Sequence, residues 1–190
     1  CRELIDRDLK ITWQMPTGTR SEIFDDEISE LLFKSGCRLL SFAPETGDIE
    51  ILRAVKKQID LENLKKAVRV SLGHGFVVSC FFVVGFPDDT RESLRKTMKF
   101  IRQLAFLGVH DVTVSKFIPY PGSPLFKEMQ QSGKIELDDE FFVSPMDFFT
   151  KKAPSYSDAI SSEKLYWTMI WMFVNFYILS FLIRPFRVIT

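Results

Sequence analysis

Four short runs of apolar, β-branched and aromatic residues recur along the chain at 11–15, 39–43, 77–85 and 112–118. Between them the hydrophobic spacing changes from about 2 residues to about 3.6. Strand, helical segment, strand, helical segment is the order of βαβ units, which close with right-handed crossovers into a parallel sheet covered by helices on at least one face. The chain is therefore predicted to be α/β. Residues 76–84 are apolar apart from Ser79, the pattern of a parallel strand buried on both faces. Ile28, Leu31 and Leu32 share a helical face that begins after a cap at Asp25 or Asp26 and stops at Gly36. Leu61, Leu64, Val68 and Leu72 repeat the pattern after Asp60, and Gly73-His74-Gly75 ends it. Leu94, Met98, Ile101 and Ala105 form a third such face, before which Asp89 and Glu92 spell the D-x-x-E variant of a capping box.

Composition narrows the function classes. Lys+Arg and Asp+Glu both total 25, and no basic stripe interleaved with aromatic residues announces a nucleic-acid partner. The pairs Lys56-Lys57, Lys65-Lys66 and Lys151-Lys152 read as solvated faces. With 190 residues, 46% of them hydrophobic, the chain has the material for one packed domain and an appendage. Cys1, Cys37 and Cys80 lie too far apart to form a local metal knuckle; Cys37 and Cys80 are expected to be buried structural thiols in a reducing, cytoplasmic compartment. No metal site is expected. Asp138, Asp139 and Glu140 read as the first turn of a helix, and His74 and His110 lack a neighbouring carboxylate–nucleophile set. Because the first residue is Cys1, the chain is expected to be the later part of a longer polypeptide.

In a parallel α/β sheet, ligands bind at the carboxyl edge of the strands. Four unusual loops leave that edge: Pro16-Thr17-Gly18-Thr19-Arg20, Pro44-Glu45-Thr46-Gly47, Gly85-Phe86-Pro87-Asp88-Asp89-Thr90 and Pro119-Tyr120-Pro121-Gly122-Ser123-Pro124. Glycine and proline give tight turns and close backbone approach, and Arg20 and Glu45 add opposite charges.

The order ITWQMPTGTR, GCRLLSFAPETGDIEIL, VVSCFFVVGFPDDT and FIPYPGSPLF resembles the later strands of radical S-adenosylmethionine (SAM) enzymes, most closely the subgroup often preceded by a cobalamin-binding domain. The resemblance covers residues 4–126. It implies a partial (β/α) TIM-like barrel, of which this chain would hold the later strands. It also implies SAM and a [4Fe–4S] cluster as cofactors, with cobalamin as a further candidate, and an electron donor and a small-molecule substrate as partners. In such enzymes the cluster delivers an electron to SAM, and the resulting 5′-deoxyadenosyl radical abstracts hydrogen from substrate. By the resemblance, Glu45 would accept hydrogen bonds from the amino or ribose groups of SAM, and Arg20 would pair with its carboxylate. Gly85, Phe86 and Pro87 would run beside the adenine, and Tyr120 would face adenine or substrate. Ser41 and Ser79 are candidates to point into the barrel. The competing reading of Arg20 and Glu45 is a structural ion pair. Two departures stand out: Thr46 replaces the usual Ser after the glutamate, and Asp88-Asp89-Thr90 replaces Gly-Glu-Thr. The cluster-binding CxxxCxxC is absent from these residues, so the chain alone is expected to be catalytically inactive.

The expected organisation is a barrel portion at 1–126, an irregular and helical wrap at 127–164, and a hydrophobic aromatic-rich helix with a basic tail at 165–190. Residues 165–183 are apolar almost throughout, a length of roughly 28 Å as a helix. Tyr166, Thr168, Asn175, Tyr177 and Ser180 fall on no single side, so the segment reads as docked on protein, membrane-associated or an oligomer contact. Two functional classes follow. One is a radical SAM enzyme performing methyl transfer, methylthiolation, cyclisation or rearrangement. The other is a non-catalytic α/β module for membrane association or assembly.

Overall fold

A computed structural model describes residues 1–143 and 149–188. Phe148 of the expected aromatic wrap and the last residues of the basic tail lie outside them. After a short helix α1 (Arg2–Asp6), four strands form one parallel sheet in chain order: β1 (Trp13–Thr19), β2 (Cys37–Glu45), β3 (Val77–Val84) and β4 (Asp111–Lys116). The connecting helices are α2 (Asp26–Lys34), α3 (Ile49–Ala54), α4 (Leu61–Gly73) and α5 (Arg91–Leu107). Beyond β4 come α6 (Pro124–Gln131), α7 (Asp139–Val143) and the long α8 (Ser162–Ile183). This is the α/β partial barrel with a C-terminal apolar helix that the sequence implied.

Strand alternation sorts the two faces. Leu40 and Phe42 of β2, Val78, Cys80, Phe82 and Val84 of β3, and Val112 and Val114 of β4 are buried in one cluster with Leu64, Val68, Ile101 and Leu104 of the helices. The residues between them point to the opposite, concave face. There Ser41 and Ser79 meet Oγ to Oγ at 2.7 Å. Contrary to the expectation for residues 76–84, β3 is buried throughout on one face only: on the other Ser79 is buried, but Val77 is exposed and Phe81 and Val83 are half-buried.

Local signals explain where the elements start and stop. Asp25 caps α2 through the Ile28 amide (2.8 Å), and Asp60 caps α4 through those of Glu62 and Asn63 (2.8 and 3.2 Å). Gly36 takes φ 96°, and a Cβ there would collide with the Ile11 carbonyl. The expected Asp89/Glu92 capping box is not what forms. Thr90 caps α5 by accepting from the Ser93 amide (3.2 Å), and the Ser93 hydroxyl accepts from the Thr90 amide (2.8 Å). Asp89 is one residue outside the helix and is engaged elsewhere.

α8 runs antiparallel to β4 and packs Leu165, Met169, Met172 and Phe176 into the main core. Burial of each such side chain stabilises by about 1.5–3 kcal/mol. Two of its polar residues, Asn175 and Tyr177, find partners on other elements, whereas Ser180 Oγ is buried without one among the described residues. Arg102 donates to Asn175 Oδ1 at 3.1 and 2.6 Å, Tyr177 donates to the Asp111 carboxylate, and Thr168 donates to the Lys164 carbonyl at 2.8 Å. Arg184 then caps the end of α5, reaching the carbonyls of Ala105, Phe106 and Leu107 at 3.2–3.3 Å. Lys116 is buried on the helix-facing side of β4, where desolvation lowers its pKa; it donates to the Ala153 carbonyl (2.8 Å) and Ser162 Oγ (3.0 Å), tying the wrap to the start of α8.

Candidate functional site

Two departures from regular strand geometry shape the carboxyl edge. Phe42 pairs with Cys80 but Glu45 with Phe82, so β2 carries an extra residue there, a bulge in which Pro44 is tolerated. β1 slips further: Met15 faces Leu40 while Thr19 faces Phe42. Gly18 then comes so near β2 that a Cβ would stand 2.5 Å from that of Ala43. Past the bulge Glu45 adopts a left-handed φ of 63°. A side chain in that conformation costs about 1 kcal/mol.

The Glu45 carboxylate accepts from Lys57 Nζ at 2.6 Å. Lys57 reaches it because the chain after α3 reverses through Lys56, also left-handed at φ 56°, with the Lys57 amide donating to the Leu52 carbonyl (2.8 Å). The pair stands between two cavities. One, of about 340 Å³, is lined by Glu45, Lys57, Val83, Phe86, Ser115 and Tyr120 among others. The second, of about 300 Å³, includes Gly18, Arg20, Ala43 and Ile59, and shares Lys57. Both are at the small end of the usual range for ligand sites.

The turn after β3 is held from within. Gly85, at φ 89°, and Phe86 donate their amides to Asp89 Oδ2 at 2.7 and 3.1 Å, while the Ser93 hydroxyl donates to Asp89 Oδ1 at 2.6 Å. Burial raises the Asp89 pKa above its ordinary value, and these three bonds work against that rise. The wrap grips the same turn: Ser157 Oγ donates to the Asp89 carbonyl (2.8 Å) and the Asp158 amide to that of Pro87 (3.1 Å). The Phe86 ring lies against Phe117, centroids 5.0 Å apart and tilted by 39°.

Of the six residues singled out from sequence, Glu45, Phe86 and Tyr120 come together at one cavity and Arg20 lines its neighbour. The Arg20–Glu45 ion pair does not form. Lys57 takes the carboxylate, and Arg20, largely in solvent, approaches only Glu22 at 3.9 Å. Tyr120 is 71% exposed and stands at the cavity lip rather than in packing. Gly85 is glycine for a reason beyond its φ: a Cβ there would collide with Leu165 of α8. Pro87 turns its carbonyl to the wrap.

Sequence reasoning missed Lys57 and Asp89. In sequence Lys57 has the look of a solvated lysine, and nothing in its spacing indicates that a left-handed residue returns it to the sheet edge. Asp89 has a usable signal, a carboxylate four residues after a strand-ending glycine, but the same position also spells a helix cap.

The donor set suits S-adenosylmethionine: a carboxylate for ribose hydroxyls or ammonium, two cations for the carboxylate, and an aromatic wall for adenine. It does not suit an iron–sulfur cluster. Cys37 and Cys80 are fully buried among the helices with thiol pKa values raised by desolvation, and Cys1 is exposed at the other end of the chain's first helix. Among the described residues no group of three or more His, Cys, Asp or Glu could hold a metal.

Comparison with known proteins gives a consistent result. Residues 2–101 match the model of the Radical SAM superfamily. The chain is 28% identical over 147 residues to the anaerobic magnesium-protoporphyrin IX monomethyl ester cyclase of Rubrivivax gelatinosus, covering 77% of this chain and 26% of that protein. It is 32% identical over 105 residues to the bacteriochlorophyllide d C-12(1)-methyltransferase of Chlorobaculum tepidum, covering 55% of this chain and 22% of the other. Among solved structures it resembles the radical SAM methyltransferase TsrM of Kitasatospora setae, determined with tryptophan substrate and a SAM analog, at a TM-score of 0.59 and 18% identity over 69% of this chain and 26% of that one. The chain thus spans about a quarter of the length of these relatives.

Proposed function

The chain belongs to the radical SAM superfamily, and on that premise we propose that it supplies the SAM-cradling strand ends of a radical enzyme whose cluster ligands lie outside these residues. The observation that carries the reading is Glu45. It is held in a left-handed bulge at the sheet edge, faces a cavity with Phe86 and Tyr120, and is paired with Lys57.

In this reading the Glu45 carboxylate accepts from the ribose hydroxyls or the ammonium of SAM. Arg20 and Lys57 meet its carboxylate from the adjoining cavity. Gly85, Phe86 and Pro87 run beside the adenine: Phe86 covers its face, and the Asp89 bonds fix the turn so that it is ready before the ligand arrives. Tyr120 closes over adenine or substrate from the lip. When bound beside a reduced cluster, the cofactor supplies the hydrogen-atom abstraction with which the reaction starts.

Methyl transfer, methylthiolation, cyclisation and rearrangement of a small molecule all remain within this reading. The relatives named as a cyclase and as methyltransferases support that range. An electron donor is required as partner, and cobalamin is a further cofactor candidate through the subgroup that the four motifs resemble. A cytoplasmic, reducing setting suits the free thiols of Cys1, Cys37 and Cys80. A second reading, a non-catalytic module for assembly or membrane association, is favoured by the lack of cluster ligands among the described residues.

NMR of the chain titrated with SAM separates the two. The amides of residues 45, 57, 85 and 86 are expected to shift together, and Glu45→Gln to weaken binding about 10-fold, the loss of one charge-assisted bond. Shifts confined to other surfaces, or a Glu45→Gln variant that binds as the parent does, would remove the SAM reading.

A further inference from the structure

α8 is apolar on two opposite sides, and the protein uses only one. Leu165, Met169, Met172 and Phe176 are buried to within 1% of complete. At about 100° per residue, Trp167, Trp171, Val174, Ile178, Phe181 and Leu182 fall on the far side. All six are exposed, over roughly 22 Å of helix. A continuous exposed apolar face of this kind marks an interaction surface.

The border of that face identifies what it meets. Between α5 and α8 runs a groove of about 840 Å³, floored by Leu94 and Met98 and walled by Trp167 and Trp171. Arg91, Arg95 and Arg102 repeat along its α5 side, and Lys164 stands on the α8 side. The one acid in the lining is Glu163; Glu92, outside the lining, engages Arg95 at 3.2 Å. An apolar strip with tryptophans and a cationic margin complements the interface of an anionic bilayer: acyl chains for the strip, headgroup level for the indoles, phosphates for the arginines. A second copy of the chain would bring the same cationic margin against itself.

We propose that the exposed face of α8 and the arginine row of α5 dock this chain on the surface of an anionic membrane, with α8 lying in the plane of the interface. The helix does not span. Its other side is fastened to the sheet by the four core residues, by Asn175 on Arg102 and by Arg184 on the end of α5. Pulling it across a bilayer would strip the cover from β4.

The test is flotation of the 190-residue chain with vesicles of phosphatidylcholine alone and of phosphatidylcholine mixed with phosphatidylglycerol. The chain is expected to float with the mixed vesicles, to bind them about 100-fold more tightly than neutral ones through three arginines, and to be released by salt. Arg91→Gln/Arg95→Gln is expected to lose the preference for anionic lipid. Trp167→Ser/Trp171→Ser is expected to stop flotation while thermal unfolding stays unchanged, since both rings are exposed. No flotation with either vesicle, equal binding to both, flotation unaffected by the tryptophan changes, or membrane material resistant to alkaline carbonate would each overturn the proposal. So would a concentration-dependent dimer that buries the two tryptophans.

Discussion

A single carboxylate governs the turn that would run beside the adenine. Asp89 is nearly sealed from solvent and satisfies two backbone amides and one hydroxyl. Truncation to alanine leaves those donors without acceptors and is expected to cost about 2–4 kcal/mol in chemical denaturation. Asparagine can keep an oxygen toward Gly85 and Phe86 and turn its amide to Ser93 Oγ, so Asp89→Asn is expected to stay within about 1 kcal/mol of the parent. The pH dependence has a definite sign. Because the folded pKa of Asp89 is raised, its contribution to stability is complete below the ordinary value of 3.8 and declines as pH climbs through the higher folded value. Asp89→Asn removes that decline, so its melting temperature relative to the parent should rise with pH across this window. At this scale the sequence showed the residue types of the site but not its pairing. Glu45 and Arg20 were visible as charges at strand exits, yet their partners depend on a bulge at Pro44 and a reversal at Lys56, which are tertiary outcomes.

Elements were more legible than residues. β2, β3 and β4 and the α2, α4 and α5 helices lie where periodicity places them, because each has an apolar face of one clear period; β1 instead runs over Trp13–Thr19, so that residues 16–19, expected as a loop, continue the strand. The exception at α5 is instructive. Asp89-Thr90 offers two caps in succession, and the turn's need for an acceptor takes the first, leaving Thr90 and Ser93 to the helix. The tail helix defeated period counting because apolar residues surround it. Only the fold brings Asn175 to Arg102 of α5 and Tyr177 to Asp111 of β4. Removing one core residue at the centre of that contact, Met172→Ala, is expected to cost about 2–5 kcal/mol in urea denaturation. A loss below about 1 kcal/mol would mean that α8 is peripheral to the fold.

As a whole, the molecule is a four-stranded parallel sheet with one face packed in the core and the other only partly covered. The sequence announced this architecture through four ordered motifs, but not the face left partly uncovered. Anaerobic reconstitution with iron and sulfide is expected to leave less than stoichiometric iron on the chain and no 5′-deoxyadenosine from SAM. Stoichiometric iron with cofactor cleavage would show that ligands outside the family's usual triplet suffice. The position of Leu165 has a wider meaning. It fills the space that any side chain at Gly85 would need, so the turn after β3 is upholstered from behind by the first buried residue of the tail helix. Whatever settles against the outside of that helix therefore leans, one layer in, on the turn that follows β3.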